Sequence, residues 1–512
     1  MSKKPSTTQP EIDVSCADRD VVTLATGGGI TLMGRTVGRA THVLGQIVLA
    51  RLLAPEAFGL YAIGWTILRI VGLISLLGLD HGIIRYGSPC WNTDSSRFKG
   101  VLFQAVGLTL LSGLLFGGAL VAAAPWLAEQ VFQNSELTFV LRWFGLAVSL
   151  VAGLKVVAAA TRVSQRMQYS VYSEELIQPT ANLLLIVTFY LLGWKLLGAV
   201  VAVVASFSIA FILALCYTRH LFPAVFSRRV TFDFPVSKLF WFSLPVSFAS
   251  IFVVLVTRID VLMVGYFLPG VEVGVYQAAS QSSLLFAVIL SGFGTIFSPM
   301  IADLYQKTEM DRLQELFRVS TKWALYMSLP LFLMICFFSE EVMILLFGSE
   351  YKSGGLPLLV LSVGQLINAG TGAVGLLLLM TGHQVRWLLI SSSMVVTDIL
   401  LNWVLIPTLG VVGAALGTTC AVGGLFFLAL FQVKRSLGIW PYDIRYFKGF
   451  LAGGLIIGVL LLVRILLMIP QNPYHLFLVC LMSYIIFGST LIVLGLDNED
   501  LQFLRLLRGR LK

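Results

Sequence analysis

Charge is nearly absent from long stretches of this chain. Apolar runs of roughly 18 residues or more, enough to span a hydrocarbon core about 30 Å thick, recur along almost its whole length. Turn residues mark the breaks: Pro55, Pro125, Pro269, Gly348, Pro407 and Pro470. Spans are expected at 24–50, 57–79, 100–124, 138–160, 175–192, 196–218, 240–267, 273–299, 319–338, 354–380, 386–406, 409–433, 448–469 and 474–496, about fourteen in all. Only 12% of the 512 residues are charged, against about 25% in a soluble domain, too few to cover a water-facing surface. The expected fold class is therefore an all-α integral membrane protein.

The formal net charge is +9, which in a soluble chain would raise nucleic acid as a partner. Here the basic residues fall in the gaps between runs, so no nucleic acid is expected. On the side shared by both termini the map places 25 Lys and Arg; the opposite side has Arg51, Lys195 and Lys352, and seven lie within spans. By the positive-inside rule both termini are expected in the cytoplasm, with the chain in the cytoplasmic membrane. The segment up to Asp20 is polar, and no short apolar segment with a cleavage site follows, so no signal peptide is expected. The six cysteines form no CxxC pair and suggest neither a disulfide framework nor a zinc site.

Two short strings repeat at one offset. Pro55-Glu56-Ala57-Phe58-Gly59-Leu60-Tyr61 is matched by Gly270-Val271-Glu272-Val273-Gly274-Val275-Tyr276, and Leu197-Gly198-Ala199-Val200 by Val412-Gly413-Ala414-Ala415. The separation of Gly59 from Gly274 equals that of Gly198 from Gly413. Six spans separate the copies, so both have one orientation in the membrane. This predicts two parallel, pseudo-symmetric six-helix lobes and two extra helices. The expected division is a tail at 1–23, an N-lobe at 24–218, a linker at 219–239, a C-lobe at 240–433, two helices within 434–496 and a basic tail at 497–512.

Ionisable groups inside spans are costly, about 2.5–3.5 kcal/mol each on insertion scales, and they usually face a cavity or the bundle interior. Thr31, Arg35, Arg39, His42 and Gln46 are spaced 4, 4, 3 and 4 residues apart, on one face of the first span. They form either a cationic cavity wall suited to phosphate or a stripe paired with acids elsewhere. Arg69, midway along the second span, faces inward on either reading. Arg258 and Asp260 lie in the outer third of the seventh span, where Asp260 can neutralise an arginine across the cavity. Asp398 is the deepest acid, with Asn402 one turn on; it is a site for H+ or Na+ coupling or a partner of Arg35 or Arg39. Arg142, Lys155 and Arg464 lie near span ends and are expected to snorkel to the interface. Asp80, His81 and Arg85 are expected on a solvated loop past the second span. With seven cations against two firm anions within spans, a cavity here would prefer an anionic substrate.

Enzyme signatures are poor. No GxxxxGK[ST] loop occurs, Asp18-Arg19-Asp20 sits in a short tail, the five histidines are dispersed, and no loop is large enough for a catalytic domain. No cofactor and no resident metal are expected.

Arg51-Leu52-Leu53-Ala54-Pro55-Glu56-Ala57-Phe58-Gly59-Leu60-Tyr61 and Gly78-Leu79-Asp80-His81-Gly82-Ile83-Ile84-Arg85-Tyr86 resemble the start of the polysaccharide-transporter branch of the multidrug/oligosaccharidyl-lipid/polysaccharide (MOP) exporter superfamily, which includes the O-antigen and exopolysaccharide repeat-unit flippases. The segment from Asp260 to Tyr276, and Leu346-Phe347-Gly348-Ser349-Glu350-Tyr351, are similar to that family as well. The resemblance implies a V-shaped two-lobe bundle of the drug-antiporter and lipid-flippase type, working by alternating access. It implies as substrate a sugar unit on an isoprenoid pyrophosphate, with polymerase or glycosyltransferase machinery as neighbours. The cations matching those that contact an anionic headgroup in the family are Arg35, Arg39 and Arg258. The last two helices would guide the lipid tail. Competing readings are a drug/cation antiporter, which favours twelve helices and an acidic cavity, a lipid II flippase, and a membrane polymerase, which needs a large external loop.

Overall fold

The computed structural model describes Gly34, residues 36–164, 166–227, 235–286, Phe297, residues 300–466 and 473–495, Asp497 and Asp500. Among these residues the chain is helical with no strand. In lipid a backbone must satisfy its own N–H and C=O groups, and a helix does so within one segment. The helices are α1 (36–52), α2 (Pro55–Leu76), α3 (Leu79–Gly87), α4 (Ser95–Trp126), α5 (Glu136–Val163), α6 (Gln178–Leu191), α7 (Lys195–Leu221), α8 (Val236–Phe267), α9 (Gly270–Ser283), α10 (Met310–Phe347), α11 (Gly355–Thr371), α12 (Val374–Met380), α13 (Gln384–Leu409), α14 (Val411–Leu437), α15 (Tyr446–Leu466) and α16 (Pro473–Val493). Ten helical stretches among the described residues are long and apolar enough to cross a membrane. At the other four expected positions the described residues are helical as well, in α1, α6, α8 and α9. The protein is thus a multi-pass membrane protein.

The local sequence explains where helices start and stop. Pro55 opens α2, at the position where a missing N–H costs nothing. The Asp94 carboxylate accepts hydrogen bonds from the N–H groups of Ser96 (3.1 Å) and Arg97 (3.0 Å), capping α4. The second span departs from expectation. It breaks at Leu77 and Gly78, both in the left-handed region, and resumes as α3. Asp80, His81 and Arg85 therefore stand on a helix rather than on a solvated loop. His81 Nδ1 lies 3.0 Å from Asp80, and the Arg85 guanidinium 4.5 Å over the Phe242 ring. In α10 the helix bends at Phe338, whose φ is −133°. Arg464 donates to the Phe337 carbonyl at 2.5 Å, so its charge tends the break in addition to any reach toward the interface.

The pattern of helix pairs in the first half recurs in the second. The pairs α4–α5, α2–α5, α5–α7 and α6–α7 correspond to α10–α11, α9–α11, α11–α14 and α13–α14. Small residues make such contacts close. On α4 and α5 a side chain at Gly113 would strike Ser149, and one at Gly117 the Gly145 carbonyl. The halves meet through the repeated motif itself. A side chain at Gly59 would strike the Gly270 carbonyl, and one at Gly274 the Pro55 carbonyl. Gly59 and Gly274, like Pro55 and Gly270, are equivalents under the repeat. The contact between α2 and α9 is thus self-complementary, as in a two-fold dimer interface.

The two ends of the bundle differ. The turn end carries the short connections at 53–54, 192–194 and 268–269, and the linker end the connection from Leu221 to Val236. At the turn end the lobes cap each other. Arg51 donates to the carbonyls of Leu346 (2.8 Å) and Leu345, near the end of α10. Tyr351 Oη donates to the carbonyl of Ala50 (2.9 Å) and lies 3.3 Å from that of Leu53, at the end of α1. Carbonyls that a helix end leaves orphaned are thereby satisfied from the opposite lobe. At the linker end α15 and α16 pack on α10 and on each other. Buried Lys322 donates to Asp497 (2.9 Å) and Asp500 (3.1 Å), and Lys448 donates to Asp497 at 2.7 Å.

A candidate functional site: a cationic cavity

A cavity of about 620 Å³ lies among α1, α2, α5, α6, α7, α8 and α9. Five cations line it: Arg39, Arg69, Lys155, Arg162 and Arg258, with His42 beside them. Among the described residues only two carboxylates face them, Glu174 and Glu175. Arg162 and Glu174 form an ion pair. Arg69 lies within electrostatic reach of Arg258 and Glu175, and His42 of Arg69 and Arg258. Like-charged groups so close together repel one another, and an entering anion would relieve that repulsion. Guanidinium groups suit phosphate oxygens because their planar fork donates two parallel hydrogen bonds.

The cavity is layered along the membrane normal. Helices α1, α2 and α6 alternate in direction, so comparable levels can be read from each at a rise of about 1.5 Å per residue. Toward the linker end stand Arg39, Arg69 and Glu175. One turn further in stand His42, Trp65 and Gln178. The Trp65 ring centroid is 6.1 Å from Phe207, which also lines the cavity, and 6.3 Å from His42. One turn further still, beyond the lining, lie Gln46, Tyr61 and Asn182. Trp65 stacks on Tyr61 at 6.1 Å and 10°. The Tyr61 hydroxyl faces Asn182 and Gln46. Yet neither it nor Asn182 Oδ1 has a hydrogen-bond partner of good geometry among the described residues.

Arg39, His42, Arg69 and Arg258 line one space. Arg35 and Thr31 lie outside the described residues. Gln46 is buried one turn past the lining. Lys155 lines the cavity rather than reaching for the interface, and Arg162, expected in a connection, joins it. Glu174 and Glu175 were not legible as cavity residues. They sit on a π-helical turn, Tyr172–Ile177, of the kind that often marks functional sites. The available signal was the stripe Glu175, Gln178 and Asn182, with the same helical spacing as the stripe in the first span.

The deep acids form a separate cluster in the second lobe. Buried Asp260 accepts hydrogen bonds from Tyr276 Oη (2.7 Å) and from the Val261 N–H (2.8 Å). Tyr276 Oη lies 3.2 Å from the Thr418 hydroxyl, and Thr418 also neighbours Asp398. Asn402 Nδ2 donates to Asp398 at 3.1 Å, while its Oδ1 has no partner among the described residues. Neither acid lines the cationic cavity.

Comparison with known proteins agrees with this architecture. The chain is 27% identical over 162 residues to the probable low-salt glycan biosynthesis flippase Agl15 of Haloferax volcanii, covering 31% of this chain and 34% of that protein. It is 23% identical to the probable flippase AglR of the same organism, covering 76% of this chain and 79% of that one. The fold matches the lipid II flippase MurJ in an inward closed conformation, with TM-score 0.70 and 13% identity over 90% of this chain and 98% of that one. The sequence profile of the polysaccharide biosynthesis protein family matches residues 48–354, more than half of the chain. The chain therefore belongs to the polysaccharide biosynthesis protein family.

Proposed function

We propose that this protein is a flippase that moves isoprenoid-pyrophosphate-linked oligosaccharide units across the cytoplasmic membrane for polysaccharide biosynthesis. The observation that carries this reading is the cavity with five cations and two carboxylates. That imbalance favours a phosphate-bearing substrate and disfavours the cationic substrate of a drug antiporter. The relatives named as flippases support the same reading. Arg39, Arg69 and Arg258 hold the pyrophosphate, joined by Arg35, and His42 supports them. The protein acts as a transporter and not as an enzyme.

Both termini face the cytoplasm, in keeping with the distribution of Lys and Arg. The linker end is then the inner end. The mutual capping at the turn end, with the cavity lying toward the linker end, suits an inward-facing state. Asp260, Asp398 and Asn402, with Tyr276 and Thr418, take up H+ or Na+ and couple its gradient to transport. The test is headgroup translocation in proteoliposomes with a labelled pyrophosphate-linked oligosaccharide. Transport by the wild type, lost on Arg39→Ala and Arg69→Ala in folded protein, supports the reading. Full activity in both variants would make the cations structural.

A further inference from the structure

Two carboxylates stand in a cavity whose cations outnumber them, where each opposes the binding of an anion. We infer that Glu174 and Glu175 are a built-in counter-anion. They hold cations of the empty cavity, an entering pyrophosphate takes their place, and their return to the cations speeds its release. This deepens the flippase reading and rests on it.

Three observations converge on these acids. First, they face different cations. Glu174 is ion-paired with Arg162 and lies within electrostatic reach of Lys155, and Glu175 lies within reach of Arg69. Three of the five lining cations thus have a carboxylate close by. Second, the acids are anchored beside a cation and do not reach in from a loop. Both stand on the π-helical turn Tyr172–Ile177, whose backbone packs directly on α1. A side chain at Gly38 would strike the Glu175 carbonyl, and the next residue along α1 is Arg39. Third, the pairing is not sealed. The side chains of Arg162 and Glu174 are 32% and 19% exposed, so their pair opens to the cavity and can be exchanged, whereas a fully buried pair strongly resists separation. The exchange is chemically matched, because carboxylate and phosphate oxygens accept the same parallel hydrogen bonds from a guanidinium. It also answers a requirement of transport. A conducting site must bind strongly enough to capture its cargo and weakly enough to let it go. Five unopposed cations would hold a pyrophosphate in a deep well, and a bound state stabilised more than the transition state beyond it leaves slowly. With internal carboxylates, a cation that loses the pyrophosphate regains an anionic partner as it does so.

The test follows association and dissociation of a fluorescent isoprenyl pyrophosphate on monodisperse protein in detergent, with the melting temperature as a check on folding. Glu174→Gln and Glu175→Gln keep the side-chain shape and remove the charge. Each is expected to slow dissociation about tenfold, with a smaller change in association. Glu175→Asp, which keeps the charge, should release the lipid at about the wild-type rate. Where Glu174→Gln fails to fold, Glu175→Gln, which leaves the pair of Arg162 with Glu174 in place, carries the test alone. Unchanged or faster dissociation in either folded glutamine variant would overturn the counter-anion, because acids that serve only to hold the fold do not set the rate of release. Release from Glu175→Asp as slow as from Glu175→Gln would overturn it too, since charge would not be the cause. Both results leave the flippase reading standing. A wild type that does not bind the lipid would overturn that reading and the counter-anion with it.

Discussion

The two lobes carry the same triad with different chemistry. In the first, Gln46, Tyr61 and Asn182 meet behind the cavity. In the second, Asp260, Tyr276 and Asp398 occupy the corresponding places. Tyr61 and Tyr276 are related by the repeat offset itself, and the pairs Gln46 with Asp260 and Asn182 with Asp398 depart from it by a single position each. One scaffold thus places a buried tyrosine between two polar side chains twice. The first lobe holds neutral amides, one turn beyond the lining of the cationic cavity. The second holds carboxylates that hydrogen-bond Tyr276 and Asn402. The difference is one of charge: corresponding positions around the two tyrosines carry amides in the first lobe and acids in the second. The neutral copy can both donate and accept hydrogen bonds, whereas an ionised acid only accepts them.

The sharpest way to break this comparison is to make the copies alike. Asp398→Asn gives the second lobe an amide like that of the first. Cation- or proton-dependence of transport should then fall by about 100-fold, the scale of a charge-assisted interaction worth about 3 kcal/mol, as read by transport against an imposed gradient. Next in size is the cationic layer. Arg69→Ala should weaken binding of a bare isoprenyl pyrophosphate about tenfold in a thermophoresis assay and leave the gradient dependence in place.

Smaller effects test the symmetry itself. Gly59→Ala and Gly274→Ala push a methyl group against equivalent carbonyls, so each should destabilise by about 1–3 kcal/mol, with similar drops in melting temperature in micelles. Gly107→Ala, where no atom lies within 4 Å, should be neutral or slightly stabilising. Dissimilar drops at Gly59 and Gly274 would argue against an equivalent contact. The smallest effect lies at the linker end. Burial alone would raise the Asp497 carboxyl, but hydrogen bonds from Lys448 and Lys322 outweigh it and hold it below the usual carboxylate range. A lowered folded-state value means the clasp contributes fully above the ordinary carboxylate pKa near 3.9 and is lost as pH falls through the lowered value. A melting series from pH 7 down to 3 should therefore show a loss of at most about 1 kcal/mol in the wild type that Asp497→Asn lacks.

Much of this was legible in the sequence, for specific reasons. The apolar runs follow from the bilayer's thickness, and the first-span stripe from the helical period, so spacing alone puts Arg39 and His42 on one face. Asp398 and Asn402, one helical turn apart, read as neighbours and are hydrogen-bonded. Lys155 and Arg162 were placed toward the interface because hydropathy locates a residue along a span but not around it. Each lies near a span end, where reaching for the interface is the default. The triads were illegible for another reason. Each joins residues from three helices, and a shared offset shows that two segments are alike without showing that they touch. That Gly59 and Gly274 meet across the pseudo-two-fold needed the fold.

The most direct test of the division between lobes is a crossed measurement on one set of preparations: affinity for a pyrophosphate-linked oligosaccharide and dependence of transport on an imposed ion gradient, for the wild type, Arg69→Ala and Asp398→Asn. A division of labour predicts that Arg69→Ala weakens substrate binding while its residual transport still follows the gradient, and that Asp398→Asn binds substrate normally but no longer responds to the gradient. If both variants lose both properties alike in folded protein, or if Asp398→Asn keeps its gradient response, the lobes do not share the work in this way.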